Sequence, residues 1–104
     1  RGMALANAIA GWQMGISRFD AAAGGLGGCP YAPGASGNVN TEELVHMFEC
    51  MHVQTGVALE PLLAVVRGLP GLVQRELSNP LLSAGQRLAT HAAPAWLAER
   101  FGPA

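Results

Sequence analysis

Between Gly24 and Asn38 the chain reads Gly-Gly-Leu-Gly-Gly-Cys-Pro-Tyr-Ala-Pro-Gly-Ala-Ser-Gly-Asn, a run that regular helix or strand cannot traverse. Six glycines in so short a run mean that the backbone turns through conformations closed to residues with a Cβ, or passes close to something bulky. Pro30 and Pro33 restrict the same run, so the loop is shaped and not floppy. It carries one thiol, Cys29, and ends in the carboxamide of Asn38. Function concentrates on loops held by a rigid scaffold, and the rest of the chain reads as scaffold for this one.

Residues 3 to 14 are rich in Ala, Leu, Ile and Met, with Met3, Leu5, Ile9 and Trp12 forming an apolar stripe at helical spacing that Gly15 ends. Ile16-Ser17-Arg18-Phe19-Asp20-Ala21 alternates apolar and polar residues and reads as a short strand. Helix, glycine turn, strand and glycine loop in that order is typical of a parallel sheet.

After the loop, Asn40 followed three residues later by Glu43 has the form of a capping box. It opens a helix of about three turns with Leu44, Val45, Phe48 and Met51 on one face. Glu60-Pro61 begins another helix, with Leu62, Leu63, Val65 and Val66 as its buried side. Leu69-Pro70-Gly71 and Ser78-Asn79-Pro80 are breakers, leaving short helices over 71–77, 81–90 and 94–101. One strand cannot make a sheet. That strand, with an opening Arg1-Gly2-Met3 that enters a helix uncapped, reads as a piece of a longer α/β protein.

Half of the 104 residues are apolar, enough for a core. The net charge is −1 and the six basic residues, all arginine, are dispersed, which excludes the clustered footprint of nucleic-acid binding. No apolar run approaches the roughly 20 residues that span a bilayer, and no basic-then-apolar leader opens the chain, so no membrane partner is expected. Cys29 and Cys50 stand in no paired or metal-spaced pattern, which argues against a disulfide framework and for a reducing compartment.

The run from Phe19 through Val39, followed by Thr41-Glu42-Glu43-Leu44-Val45, closely resembles hydroxymethylglutaryl-CoA lyases, and its Gly-Leu-Gly-Gly-Cys-Pro-Tyr-Ala-Pro-Gly-Ala-Ser-Gly-Asn core is far more specific than a lone glycine fingerprint. Gly2 through Asn7 resembles the helix that follows a metal-binding His-x-His strand in that family, Thr55-Gly56-Val57 still matches, and the likeness fades beyond about Leu63.

The resemblance implies an α/β fold, the C-terminal portion of a (β/α)8 TIM barrel. This chain would hold the last helix, strand, loop and helix plus C-terminal helices, mostly helical with one short strand. Residues 1–67 would belong to the barrel and 68–104 to a C-terminal helical extension. Active sites of such barrels lie at the C-terminal ends of the strands, where the glycine loop would emerge.

The resemblance further implies cleavage of 3-hydroxy-3-methylglutaryl-CoA to acetyl-CoA and acetoacetate with a divalent cation, Mg²⁺ or Mn²⁺, in leucine catabolism and ketone-body formation. Cys29 matches the family's proton-transferring cysteine; a thiol with a pKa of about 8.5 suits that task better than a hydroxyl. Asn38 matches its metal-ligating asparagine, a hard neutral oxygen donor. Gly25, Gly27 and Gly28, with Pro30 and Tyr31, form the loop expected to close over the acyl-CoA substrate and exclude water. The full-length protein would be a homo-oligomer, a dimer, in the bacterial cytoplasm or, if eukaryotic, the mitochondrial matrix. The His-x-His pair, the metal-binding aspartate and the substrate-binding arginines lie upstream in that family, outside this chain.

Asn40, Cys50 and His52 depart from the family pattern, at positions expected to bear on packing and not on chemistry. His46 and His52 lie six apart and do not share a helix face, which argues against a paired metal site. His91 reads as a surface residue, Asp20 either as a carboxylate that orients the loop by hydrogen bonding or as an ordinary strand-end carboxylate, and Trp12 and Trp96 as packing residues. The rival readings are a non-catalytic remnant serving as a packing or dimerisation module, and a lyase for a related 3-hydroxyglutaryl-CoA with a longer branch.

Overall fold

Ala4–Gln13 forms the first helix, α1, and Gly15 ends it as the spacing predicts. The Ile16 N–H donates to the Gly11 carbonyl at 3.0 Å and the Gly15 N–H to the Trp12 carbonyl at 2.9 Å. With Gly15 at φ 95° this is a Schellman closure. The computed structural model describes residues 1–102. Its other elements are a short 3₁₀ turn at Ala23–Gly25, α2 at Thr41–Cys50, α3 at Leu59–Val73, α4 at Pro80–Ala84 and α5 at Ala95–Phe101.

The expected strand over residues 16–21 does not form, and the described residues contain no sheet. The only β pairing among them is an isolated parallel bridge between Ala22 and Asn40. Alternation makes a segment suited to a sheet, but a strand exists only where a neighbour accepts its ladder hydrogen bonds. Here Phe19 instead rests on Phe48, with ring centroids 5.4 Å apart.

The core sits where α2, α3 and the 3₁₀ turn meet, and α4 adds Leu81. Leu44, Val45 and Phe48 from α2, Leu63 and Val66 from α3, and Leu81 from α4 are buried. The α2 face was legible in the sequence; the α3 face was only half so, because Val65 points to solvent at 61% exposure. None of the α1 residues is buried, and its stripe meets the core at Trp12, whose ring stands edge-on to Phe48 at 6.2 Å.

Three helix boundaries differ from expectation. The breaker at Leu69-Pro70-Gly71 does not break α3, which runs on to Val73 with Pro70 in its last turn. There a proline forfeits one hydrogen bond, while burying a Leu or Val side chain stabilises by about 1.5–3 kcal/mol. Val66 and Leu69, both just N-terminal to Pro70, lie against Gly24 and hold the helix in place. No separate helix therefore exists over 71–77. Helix α4 stops at Ala84 because Gly85 turns to φ 81°. Trp96 is not a packing residue, being 59% exposed on α5.

The Cα radius of gyration is 16.6 Å, against about 13 Å for a compact domain of this length. The core is correspondingly thin, and Met14, Leu72, Leu88 and Phe101 are largely exposed. No helix among the described residues is long and apolar enough to cross a membrane.

Helix α2 ends in a second Schellman closure, the Val53 N–H donating to the Phe48 carbonyl at 2.9 Å and the His52 N–H to the Glu49 carbonyl at 3.0 Å. Its left-handed residue is His52, at φ 60°, where a Cβ is unfavourable. In the protein that carries this chain, His52→Gly is expected to raise stability by about 1 kcal/mol, read from chemical denaturation.

Candidate active site

The glycine loop has a closed root and an open tip. At the root the Ala22 N–H donates to the Val39 carbonyl and the Thr41 N–H to the Ala22 carbonyl, each at 3.0 Å. Asn38 closes the next level, its Nδ2 donating to the Leu26 carbonyl at 2.7 Å. A Cβ at Gly37 would lie 2.7 Å from the Gly25 carbonyl oxygen, so the two arms pass at a separation that only glycine allows.

The tip is built from two consecutive turns. The Ala32 N–H donates to the Cys29 carbonyl and the Ala35 N–H to the Ala32 carbonyl, each at 3.1 Å. Pro30 and Pro33 hold the second position of these turns, where a preset φ is favourable. Gly34 follows at φ 78°, which gives the second turn type II geometry.

An open cleft of about 630 Å³ lies along the root, lined among others by Gly25, Gly27, Asn38, Asn40, Glu43 and Arg75. Asn38, Gly25 and Gly27 are thus brought together there. The space beside Gly25 is taken by the Asn40 side chain and that beside Gly27 by the Asn38 amide, and both glycines turn to positive φ, so a side chain at either would be strained and would displace these amides. Gly28, Cys29, Pro30 and Tyr31 lie on the tip, outside the cleft lining and exposed. Cys29 is a free thiol, Tyr31 is 93% exposed, and Gly28 has open space around it.

Asn38 Oδ1 has no hydrogen-bonded partner among the described residues, since the amide is engaged through its nitrogen. A carboxamide oxygen so placed suits a hard cation. The described residues hold no group of three or more His, Cys, Asp or Glu side chains arranged for a metal. Asn38 therefore fits as one ligand of a metal site, with further ligands required from outside the described residues. His46 is committed to packing: its Nε2 accepts the Arg87 N–H at 3.0 Å and lies 3.5 Å from Cys50 Sγ.

Glu42, Asn40 and Asn79 at the loop root were not foreseen. Glu42 is fully buried, and the Gly24 N–H donates to both its carboxylate oxygens, at 3.1 and 3.0 Å, while Asn79 Nδ2 donates to Oε1 at 2.6 Å. The expected capping box is absent, because Asn40 sits at the N-cap position without a side-chain cap bond. Its Nδ2 donates instead to the Ser78 carbonyl at 3.2 Å. Asn40 therefore belongs to the cleft and not merely to packing. The one signal for Glu42 was its place three residues before the apolar Val45 on α2, which does not distinguish a buried carboxylate from an exposed one.

The solved hydroxymethylglutaryl-CoA lyase of Acinetobacter baumannii, in complex with coenzyme A and 3-methylmalate, superposes with a TM-score of 0.82 at 46% identity, over 90% of this chain and 31% of that one. That likeness defines the class: the helices and the loop are a portion of a (β/α)8 barrel like that of this lyase. The family model described as HMGL-like matches residues 1–68, and the chain belongs to the HMGL-like family. The hydroxymethylglutaryl-CoA lyase YngG of Bacillus subtilis is 51% identical over 83 residues, 80% of this chain and 26% of its own length. The (R)-citramalyl-CoA lyase of Chloroflexus aurantiacus is 47% identical over 85 residues, 82% of this chain and 27% of its own length. The chain thus spans about a quarter of the curated relatives it matches, and the likeness runs past Leu63, where it was expected to fade.

Burial, and secondarily the neighbouring Glu42 carboxylate, hold the Glu43 carboxyl above the usual value of 4.5. A carboxyl raised by folding binds its proton more tightly in the folded state, so its contribution to stability is lost as pH rises through the folded-state value. Glu43→Gln is expected to melt above the parent at pH 7, with the difference vanishing below pH 4.5, read from paired thermal melts across that range.

Proposed function

We propose that the protein carrying this chain is a carbon–carbon lyase that cleaves 3-hydroxy-3-methylglutaryl-CoA to acetyl-CoA and acetoacetate. The observation that carries this reading is the 51% identity, over four-fifths of the chain, to a relative named for that activity. The loop geometry supports it, with a rigid root presenting a free amide oxygen and an exposed tip presenting a thiol. In the same reading, residues 1–67 are barrel and 68–104 a helical extension.

Breaking the carbon–carbon bond requires loss of the tertiary hydroxyl proton and delivery of a proton to the departing acetyl-CoA carbon. A bound divalent cation, Mg²⁺ or Mn²⁺, supplies Lewis acidity at the substrate oxygens. Asn38 offers Oδ1 as one of its ligands. Cys29 holds and moves the proton at Sγ. Because Cys29 stands outside the cleft, the tip must fold over the root during turnover, which also brings Pro30 and Tyr31 over the thioester and excludes water. Gly28 is left free to serve that movement.

The near-equal identity to a citramalyl-CoA lyase supports a second reading, in which the same loop serves a related 3-hydroxyacyl-CoA with a different branch. Comparing kcat/KM for the two thioesters decides between them. In the whole protein, Cys29→Ala is expected to lower kcat by about 10²-fold or more with metal affinity unchanged; an unimpaired variant refutes the role. Asn38→Ala is expected to raise the metal concentration needed for half-maximal activity by about 10-fold or more, as a titration of activity with Mg²⁺ or Mn²⁺ will show.

A further inference from the structure

Three bonds or contacts converge on the loop root from the segment that follows α3. Asn79 Nδ2 donates to Glu42 Oε1 at 2.6 Å, Asn40 Nδ2 donates to the Ser78 carbonyl at 3.2 Å, and Leu77 Cδ1 stands 2.9 Å from where a Cβ on Gly24 would lie. Glu42 passes the restraint on, because the Gly24 N–H donates to both its oxygens. Gly24 is buried at φ 65°, inside the 3₁₀ turn that launches the loop. The segment is itself fixed at its far end: Asn79 Oδ1 accepts the Leu82 N–H at 3.1 Å and so caps α4.

We propose that Leu77-Ser78-Asn79 is a strap that sets the position of the glycine loop, with Asn79 a positioning residue acting through Glu42. The strap lies beyond residue 68, where the family model ends, though within the stretch that aligns with the relatives. Asn79 touches neither Cys29 nor Asn38; it spends its amide nitrogen on a carboxylate that has no other described side-chain donor and its amide oxygen on a helix N-terminus. Both ends are needed at once, which is what an asparagine can do and an aspartate cannot.

This asymmetry gives the test, which for its kinetic arm rests on the lyase reading above. In the whole protein, Asn79→Asp keeps the oxygen that caps α4 but sets a carboxylate against Glu42. The double variant Asn79→Asp with Glu42→Gln restores the match in reverse, the glutamine amide donating to the new carboxylate while its oxygen still accepts the Gly24 N–H. Two readouts are taken: kcat on the thioester, and amide hydrogen exchange over residues 22–27 and 37–41.

Asn79→Asp is expected to lower kcat about 10- to 100-fold with little change in KM, and to speed exchange at the loop root while the C-terminal half of α2 stays protected. The double variant is expected to recover both. Recovery of neither, or an Asn79→Asp protein with parental kcat and exchange, overturns the strap. If the parent does not cleave the thioester yet root exchange responds and is rescued, the strap stands and the substrate reading falls. If Asn79→Asp is too unstable to assay, exchange in Asn40→Asp, which replaces the donor to the Ser78 carbonyl by an acceptor, decides: unchanged root exchange overturns the proposal.

Discussion

The structure depends on a carboxylate buried where the chain has little else to hold it together. Glu42 is 0% exposed and accepts from the Gly24 N–H and from Asn79 Nδ2. These donors come from either side of it in the sequence, 18 residues before and 37 after. A buried carboxylate is costly unless its oxygens are satisfied, and each partner it satisfies would cost about 1–3 kcal/mol if left unpaired. Its position in the first turn of α2 adds the favourable field of a helix N-terminus. In a chain whose apolar core is as thin as this one, such a junction decides how the segments meet.

The junction also divides the loop mechanically. Below it, Ala22, Leu26, Asn38 and Thr41 are joined by backbone and amide bonds that leave no room for a Cβ at Gly37. Above it, the tip carries Cys29 on two proline turns exposed to solvent. A metal ligand gains from a rigid mount, because coordination tolerates little displacement. A proton-transfer group can travel with a lid and engage only when substrate is beneath it. The placement of Asn38 at the root and Cys29 at the tip suits the division of tasks proposed for them.

Legibility in the sequence followed the range of the forces involved. Helix α1 and its glycine stop, the buried face of α2 and the turn character of the glycine loop are local, set by side-chain periodicity and by residues that alone tolerate positive φ. The strand over 16–21 and the break at Pro70 failed for the opposite reason. A strand needs a neighbour to pair with, and Pro70 was overridden by Val66 and Leu69 packing on Gly24. Asn40 misled in the same way: its sequence position is that of a cap, but Ser78 competes for the side chain and wins.

By itself the sequence determined that a shaped, glycine-rich loop bearing Cys29 and Asn38 stands between two helices, because backbone freedom at glycine and its loss at proline are properties of single residues. Its motif likewise sufficed to mark the family. Tertiary structure alone decided that Asn38 reaches the cleft while Cys29 does not, and that Glu42, not its neighbour Glu43, is the carboxylate that goes inside. Those outcomes turn on where residues 77–79 dock, and no local propensity encodes a hydrogen bond that spans 37 residues.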